Sequence, residues 1–275
     1  MNNVLTRSIT GLIYIGLIIG AIFAGGYWML WLVMLLSFLA INEFTGITNK
    51  KRIPALLRGL DLLTSGMALL MPYSLYENSY GMGVICLSCA FLLLVIRMIA
   101  ALYIKEENPL KETAFSLMAQ LYITLPLLLL LMTYYYSAPI VLLMFVMIWL
   151  NDTGAFCVGS LIGKNKLFER ISPKKSWEGF FGGVVFSILA GVIAHVVWGG
   201  TSFARFSMAE LAILGLLVAV FATFGDLAES LIKRTLGIKD SGSILPGHGG
   251  ILDRIDSLLF VAPVTYIFVT IIALF

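Results

Sequence analysis

The amino-acid sequence predicts an all-α integral membrane protein with about nine transmembrane helices. The first observation is composition. The 275 residues are 60% hydrophobic and 12% charged, with a mean hydropathy of +0.99, which excludes an ordinary soluble domain. The second is run length. A spanning helix needs about 20 apolar residues to cross a core about 30 Å thick. Stretches of that order occur at 8–25, 27–47, 56–73, 80–103, 114–136, 138–162, 178–198, 208–232 and 255–274. They are long and do not alternate, so they predict helices and not barrel strands. The third is the placement of cations. With nine spans the connecting segments alternate sides, and every lysine and arginine except Arg205 then falls nearer one side. That bias predicts a cytoplasmic N-terminus and an external C-terminus. It also accounts for most of the net charge of +3, which is therefore not a nucleic-acid signal.

Taken in order, the first five spans are mostly plain apolar helices. Arg7 precedes an apolar run that is long for a signal peptide and leads almost directly into another helix, so an uncleaved span is expected. Gly16 and Gly20 form a small-residue pair that permits close helix contact, leaving a homodimer among the partners the sequence allows. Asn42 and Glu43 stand near the cytoplasmic end of span two, within reach of the interface. Arg58 and Asp61 are spaced for an intrahelical pair, and Arg97 is placed to snorkel to the cytoplasmic surface. Cys86 and Cys89 read as small packing residues, as does Cys157. A single polytopic domain is expected over 1–275, with 1–136 structural or lipid-facing and 138–275 catalytic.

The second half concentrates polar residues. Span six holds Asn151, Asp152 and Thr153 deep in an apolar run, where a carboxylate costs several kcal/mol unless it finds water, a cation or a proton. The loop after it contains Ser172, Pro173, Lys174, Lys175 and Ser176 ahead of Trp177, Glu178 and Gly179. Ser176 is placed to cap span seven, and two lysines before a helix start suit an anion. The alternative is a topology signal with an interfacial Trp. Span eight ends with Asp226, Glu229 and Ser230 on one face, where two like charges call for a metal, a cation or a raised pKa. Glu229 also stands four residues before Lys233, the spacing of a helical ion pair. Residues 230–256 then gather Lys233, Arg234, Lys239, Asp240, His248, Asp253, Arg254 and Asp256 with Gly242, Gly247, Gly249 and Gly250. Gly237 can stop the helix, and the glycines let backbone N–H groups approach an anion. Asp253 and Asp256 share a face if span nine starts there. With Asp226 they form an oxygen-donor set suited to Mg²⁺ and phosphate. His195, near the external end of span seven, is expected to be structural.

This stretch resembles the signature of phosphatidate cytidylyltransferases, also called CDP-diacylglycerol synthases. The match comprises Ser230, Lys233-Arg234, Lys239-Asp240, Gly242, His248-Gly249-Gly250, Asp253-Arg254 and Asp256, and the 172–179 segment and Asn151-Asp152 also look like elements of that family. The resemblance implies transfer of CMP from CTP to phosphatidic acid, giving CDP-diacylglycerol and pyrophosphate, with one or two Mg²⁺ ions. It implies a role in phospholipid biosynthesis at the bacterial cytoplasmic (inner) membrane, with the site facing the cytoplasm. Asp226, Asp253, Asp256, Lys233 and Arg254 are then the expected catalytic residues, and Asp226, Asp253, Asp256 and Asp152 the expected metal ligands. Ser172, Lys174, Lys175, Ser176, Ser230, Arg234, Lys239, His248, Gly249 and Gly250 are the expected contacts to substrate phosphates. Two other classes remain open on the residues alone. A polyprenol or dolichol kinase-like enzyme would share metal, nucleotide and lipid, and a transporter would also hold acidic groups inside spans.

Overall fold

The computed structural model describes residues 3–49, 54–103, 108–242 and 249–274, with side chains from Ile9 onward. Nine long helices are present among them: α1 (Asn3–Ala24), α2 (Gly26–Thr48), α3 (Ala55–Tyr76), α4 (Tyr80–Leu102), α5 (Pro109–Tyr136), α6 (Ala138–Ile162), α7 (Trp177–Trp198), α8 (Met208–Leu236) and α9 (Leu252–Leu274). The last eight are long and apolar enough to cross a membrane, and the described apolar part of α1, Ile9–Ala24, is shorter. The chain is thus an all-α, multi-pass membrane protein. Exposed apolar side chains such as Leu12, Phe91 and Val196 are what a helix presents to hydrocarbon, where no hydrophobic force drives them inward.

One addition to the all-α expectation lies between α6 and α7. The segment read as a loop folds into an antiparallel hairpin of β1 (Lys166–Phe168) and β2 (Ser172–Ser176), pairing Lys166 with Ser176 and Phe168 with Ser172. Strands of three and five residues are too short for alternation to register in sequence.

The chain divides into two compact units. The first comprises Met1–Tyr135 with Asp240–Arg254. In it α5 begins with Asn108 as N-cap, whose side chain accepts from the Lys111 amide, and Pro109 in the first turn. A π-turn at Gln120–Thr124 widens the middle of α5. The Tyr134 and Tyr135 hydroxyls donate to the Ile22 and Gly26 carbonyls, both at 3.0 Å, tying α5 to α1 and α2. Two expectations are corrected here. Asp61 pairs with Arg97, Nε to Oδ1 at 3.4 Å, and Arg97 does not snorkel: it is 1% exposed. Its guanidinium also donates to Thr113 Oγ1 and the Glu112 carbonyl, because a buried cation at membrane depth needs a counter-charge and acceptors.

The second unit comprises Tyr136–Lys239 with Ile255–Phe275. Its helices approach through small residues. A Cβ on Gly182 would stand 2.6 Å from Val158 Cβ, and one on Gly215 2.5 Å from the Ser187 carbonyl oxygen. Close backbone contact of this kind brings polar positions on neighbouring helices within reach of each other.

Candidate active site

The end of α8 presents its polar face as the spacing predicts. Ser230 Oγ donates to Asp226 Oδ1 at 3.3 Å, and Lys233 Nζ donates to Glu229 Oε2 at 2.6 Å. The helix then stops at Gly237, whose φ of 73° is the left-handed cap that glycine adopts without strain. The opposing helix comes close at Gly225, where a Cβ would stand 2.7 Å from the Asp256 carbonyl oxygen and 3.1 Å from Ser257 Cα. Ser257 Oγ donates to the Ala222 carbonyl at 3.1 Å across the same contact. The approach brings one carboxylate oxygen from each of Asp226, Glu229 and Asp256 within 4.8 Å of one another, and this group could hold a metal ion. Glu229 is fully buried, whereas Asp226 is 37% exposed, so the cluster has a closed side and an open one.

The hairpin adds cations. Lys175 Nζ lies 2.6 Å from Asp226 Oδ2 and donates to the Thr223 carbonyl at 3.4 Å. Together with Lys233 it offsets carboxylates that would otherwise repel. Ser176 caps α7 as expected, accepting from the Gly179 amide at 3.1 Å. Glu178 accepts from the Lys164 and Asn165 amides, and Trp177 N–H donates to the Asn165 carbonyl, fixing both ends of the hairpin to the start of α7. Between α6, the hairpin, α7 and α8 lies a cavity of about 400 Å³, lined by Asn151, Asp152, Lys174, Lys175, Ser176 and Asp226 among others. Asn151 is 2% exposed, and its Oδ1 has no hydrogen-bond partner among the described residues. Asp152 is exposed on the cavity wall. Ser172 is half-buried. Arg234, exposed, donates weakly to the Ile171 and Ile238 carbonyls at 3.5 Å, and Lys239 is also exposed.

In the first unit, the described glycine-rich segment is held by two carboxylates. Asp253 Oδ2 accepts from the amides of Ser241 and Gly250 at 3.1 and 2.9 Å. Gly249 has a φ of 82°, and a Cβ there would stand 2.6 Å from the same oxygen. Glu43, from α2, accepts from the Ile251 amide at 2.8 Å, the Leu252 amide at 3.3 Å and the Ser241 hydroxyl. Arg254 is exposed, and its carbonyl accepts from the Tyr14 hydroxyl at 3.2 Å. His248 lies outside the described residues.

A carboxylate cluster flanked by lysines, beside a cavity that Asp152, Lys174 and Asp226 help to line, suits chemistry on phosphate groups. The model of the Cytidylyltransferase family matches residues 5–272, nearly the whole chain. This chain belongs to the cytidylyltransferase family. Curated relatives agree. A phosphatidate cytidylyltransferase of Staphylococcus saprophyticus is 33% identical over 94% of this chain and 95% of its own. One of Staphylococcus epidermidis is also 33% identical, and one of Staphylococcus aureus 31%, with the same coverage.

Of the site residues expected in this family member, Asp226, Asp256, Lys233, Ser230, Asp152, Lys174, Lys175 and Ser176 all fall in the second unit, at the cluster or the cavity. Two carboxylates stand outside the expected site residues. Glu229 shares a face with Asp226, as its spacing predicts, but was not among the expected metal ligands; its pair with Lys233 exists, and it also joins the cluster. Glu43 sits 198 residues from Ser241, and nothing in a single sequence links the two.

Proposed function

We propose that this cytidylyltransferase transfers CMP from CTP to phosphatidic acid, forming CDP-diacylglycerol and releasing pyrophosphate, as part of phospholipid biosynthesis. The observation that supports the reading most is the cluster of Asp226, Glu229 and Asp256 beside Lys175, in a chain that matches phosphatidate cytidylyltransferases over 95% of their length.

The nucleophile is a phosphate oxygen of the lipid, which already carries negative charge at neutral pH if its second pKa is about 6, as for phosphoserine. It attacks the α-phosphorus of CTP. The bond from that phosphorus to the bridging oxygen breaks, and the electron pair leaves on pyrophosphate. No proton needs to be abstracted, so no general base is required. The difficulty is bringing two anions together, and positioning plus electrostatic screening supply most of the rate. Lys175, Lys174 and Lys233 would meet phosphate oxygens, with Arg234, Lys239 and Arg254 as further cationic contacts. The exposed edge of Asp226 would face the substrate cavity, which Asn151 also lines.

The donor set of three carboxylates within 4.8 Å fits a hard divalent cation, and we assign Asp226, Glu229 and Asp256 as the residues that would hold Mg²⁺, with Asp152 nearby on the cavity wall. Bound there, the ion would neutralise charge on the triphosphate. The cation bias of the connecting segments supports a cytoplasmic site in the bacterial inner membrane, the side on which CTP is found.

The test uses purified protein in phospholipid nanodiscs with labelled CTP. Pyrophosphate release that requires phosphatidic acid, and that rises with added Mg²⁺ and stops on chelation, is expected. Consumption of CTP with phosphorylation of another lipid, or no consumption at all, would overturn the reading.

A further inference from the structure

We infer that Glu43, on the second N-terminal helix, is a positioning residue for the reaction: its carboxylate sets the backbone of the glycine-rich signature segment. Three observations converge on it. First, Glu43 is 8% exposed and its two oxygens accept from three donors, the amides of Ile251 and Leu252 and the hydroxyl of Ser241. One side chain thus joins Ser241 to the start of α9.

Second, the Ile251 and Leu252 amides are at the start of α9, where the helix leaves N–H groups without intrahelical acceptors and where negative charge is favoured. The distant carboxylate of Glu43 does the work of a local N-cap. Third, the glycines of the signature are shaped around it. A Cβ on Gly242 would stand 2.9 Å from Glu43 Cδ and Oε2, and one on Gly250 would overlap Glu43 Oε1. Phosphate approach is thus only part of the reason for glycine at these two positions; they also make room for Glu43.

The carboxylate touches no residue of the Asp226 cluster in any hydrogen bond described, and its oxygens are engaged by N–H and O–H donors. Its effect therefore passes through Ser241 and the segment 249–252, which leads directly into Asp253 and Arg254. Asp253 repeats the device from within the segment by accepting from the Ser241 and Gly250 amides. Displacing such a segment by about 1 Å is enough to cost about a hundredfold in rate.

The kinetic arm of the test rests on the proposed reaction; the structural arm does not. Full-length protein in nanodiscs is compared as wild type, Glu43→Gln, Glu43→Ala, Gly242→Ala and Glu43→Ala/Gly242→Ala. Backbone hydrogen exchange at 249–253 is expected to rise in Glu43→Ala while exchange in α6 to α8 stays unchanged. The turnover number is expected to fall about a hundredfold in Glu43→Ala. Glu43→Gln, which keeps one acceptor oxygen and the side-chain volume, should recover part of the loss. Adding Gly242→Ala to Glu43→Ala should cost less than adding it to wild type, because the atom it meets is gone. Unchanged exchange at 249–253 in Glu43→Ala would overturn the inference, as would wild-type turnover in a folded Glu43→Gln or additive losses in the double variant. If wild-type protein shows no phosphatidate-dependent turnover, the proposed reaction fails, and the exchange measurement alone decides whether Glu43 holds the segment.

Discussion

Glu229 shows how one residue can serve two partners. Its side chain is fully buried, paired with Lys233 at 2.6 Å, and within 4.8 Å of the Asp226 and Asp256 carboxylates. The ion pair alone would be an ordinary helical contact worth a few tenths of a kcal/mol. Burial beside two further carboxylates makes it a candidate metal ligand as well. Asp226→Asn, Asp256→Asn and Glu229→Gln should each lower turnover at least about a hundredfold, the scale of losing a major electrostatic contributor. They should also weaken activation by Mg²⁺ in a metal titration, with membrane insertion preserved. Near-normal rates in all three would remove the metal-site assignment. Asp253→Asn should also lose activity, through the Ser241 and Gly250 amides it holds, and without a matching change in the Mg²⁺ requirement. Away from the site, Arg97 and Asp61 are each 1% exposed and mutually paired. Arg97→Met leaves a buried carboxylate without its cation, and by analogy with soluble proteins this costs about 3–5 kcal/mol. Thermal unfolding in detergent should show a marked drop in Tm, largely restored in Asp61→Leu/Arg97→Met.

Helices place these groups by how closely they approach. The contact at Gly225 fixes the distance between the Asp226 and Asp256 carboxylates, since the backbone of α9 occupies the space a side chain would need. Gly225→Ala should therefore lower turnover and raise the Mg²⁺ concentration needed for half-maximal rate, while Gly16→Ala, with nothing within 4 Å of its Cβ position, should change neither. At this scale the sequence was readable where a regular pattern existed. Nine apolar runs became nine helices because a bilayer demands length and internal hydrogen bonding. Ser176 and Gly237 announced a helix start and a helix stop through their own backbone chemistry. The hairpin of β1 and β2 and the π-turn of α5 were not legible. The first is too short for a period of two, and the second inserts a single extra residue into an unbroken apolar run. Likewise Asp61 was matched with Arg58, one turn away, because the partner it adopts, Arg97, is on another helix.

Over the whole molecule, the signature 230–256 was visible as a dense group of charges and glycines in an apolar chain, but its division was not. Residues up to Lys239 and from Ile255 belong to the second unit, and Asp240–Arg254 to the first. The orientation inferred from the cations is open to a direct check. After replacement of Cys86, Cys89 and Cys157, a single cysteine at Lys164 should react with an impermeant maleimide only from the cytoplasmic side, and one at Arg205 only from outside. Reaction of both from one side would defeat the nine-span topology. The interleaved division has a consequence for how the chain can be shortened. A fragment starting at Ala138 would retain Asp152, Lys175, Asp226, Glu229 and Asp256, every member of the cluster and its cavity. It would also retain Ser241, Ile251, Leu252 and Arg254, yet without the Glu43 carboxylate and the Tyr14 hydroxyl that hydrogen-bond to them. If Glu43 positions the segment, such a fragment is expected to be inactive although it keeps the whole cluster. Gene fusions, truncations or split versions that treat the amino-terminal half as a dispensable anchor would keep the reactive groups and lose these contacts to the signature segment.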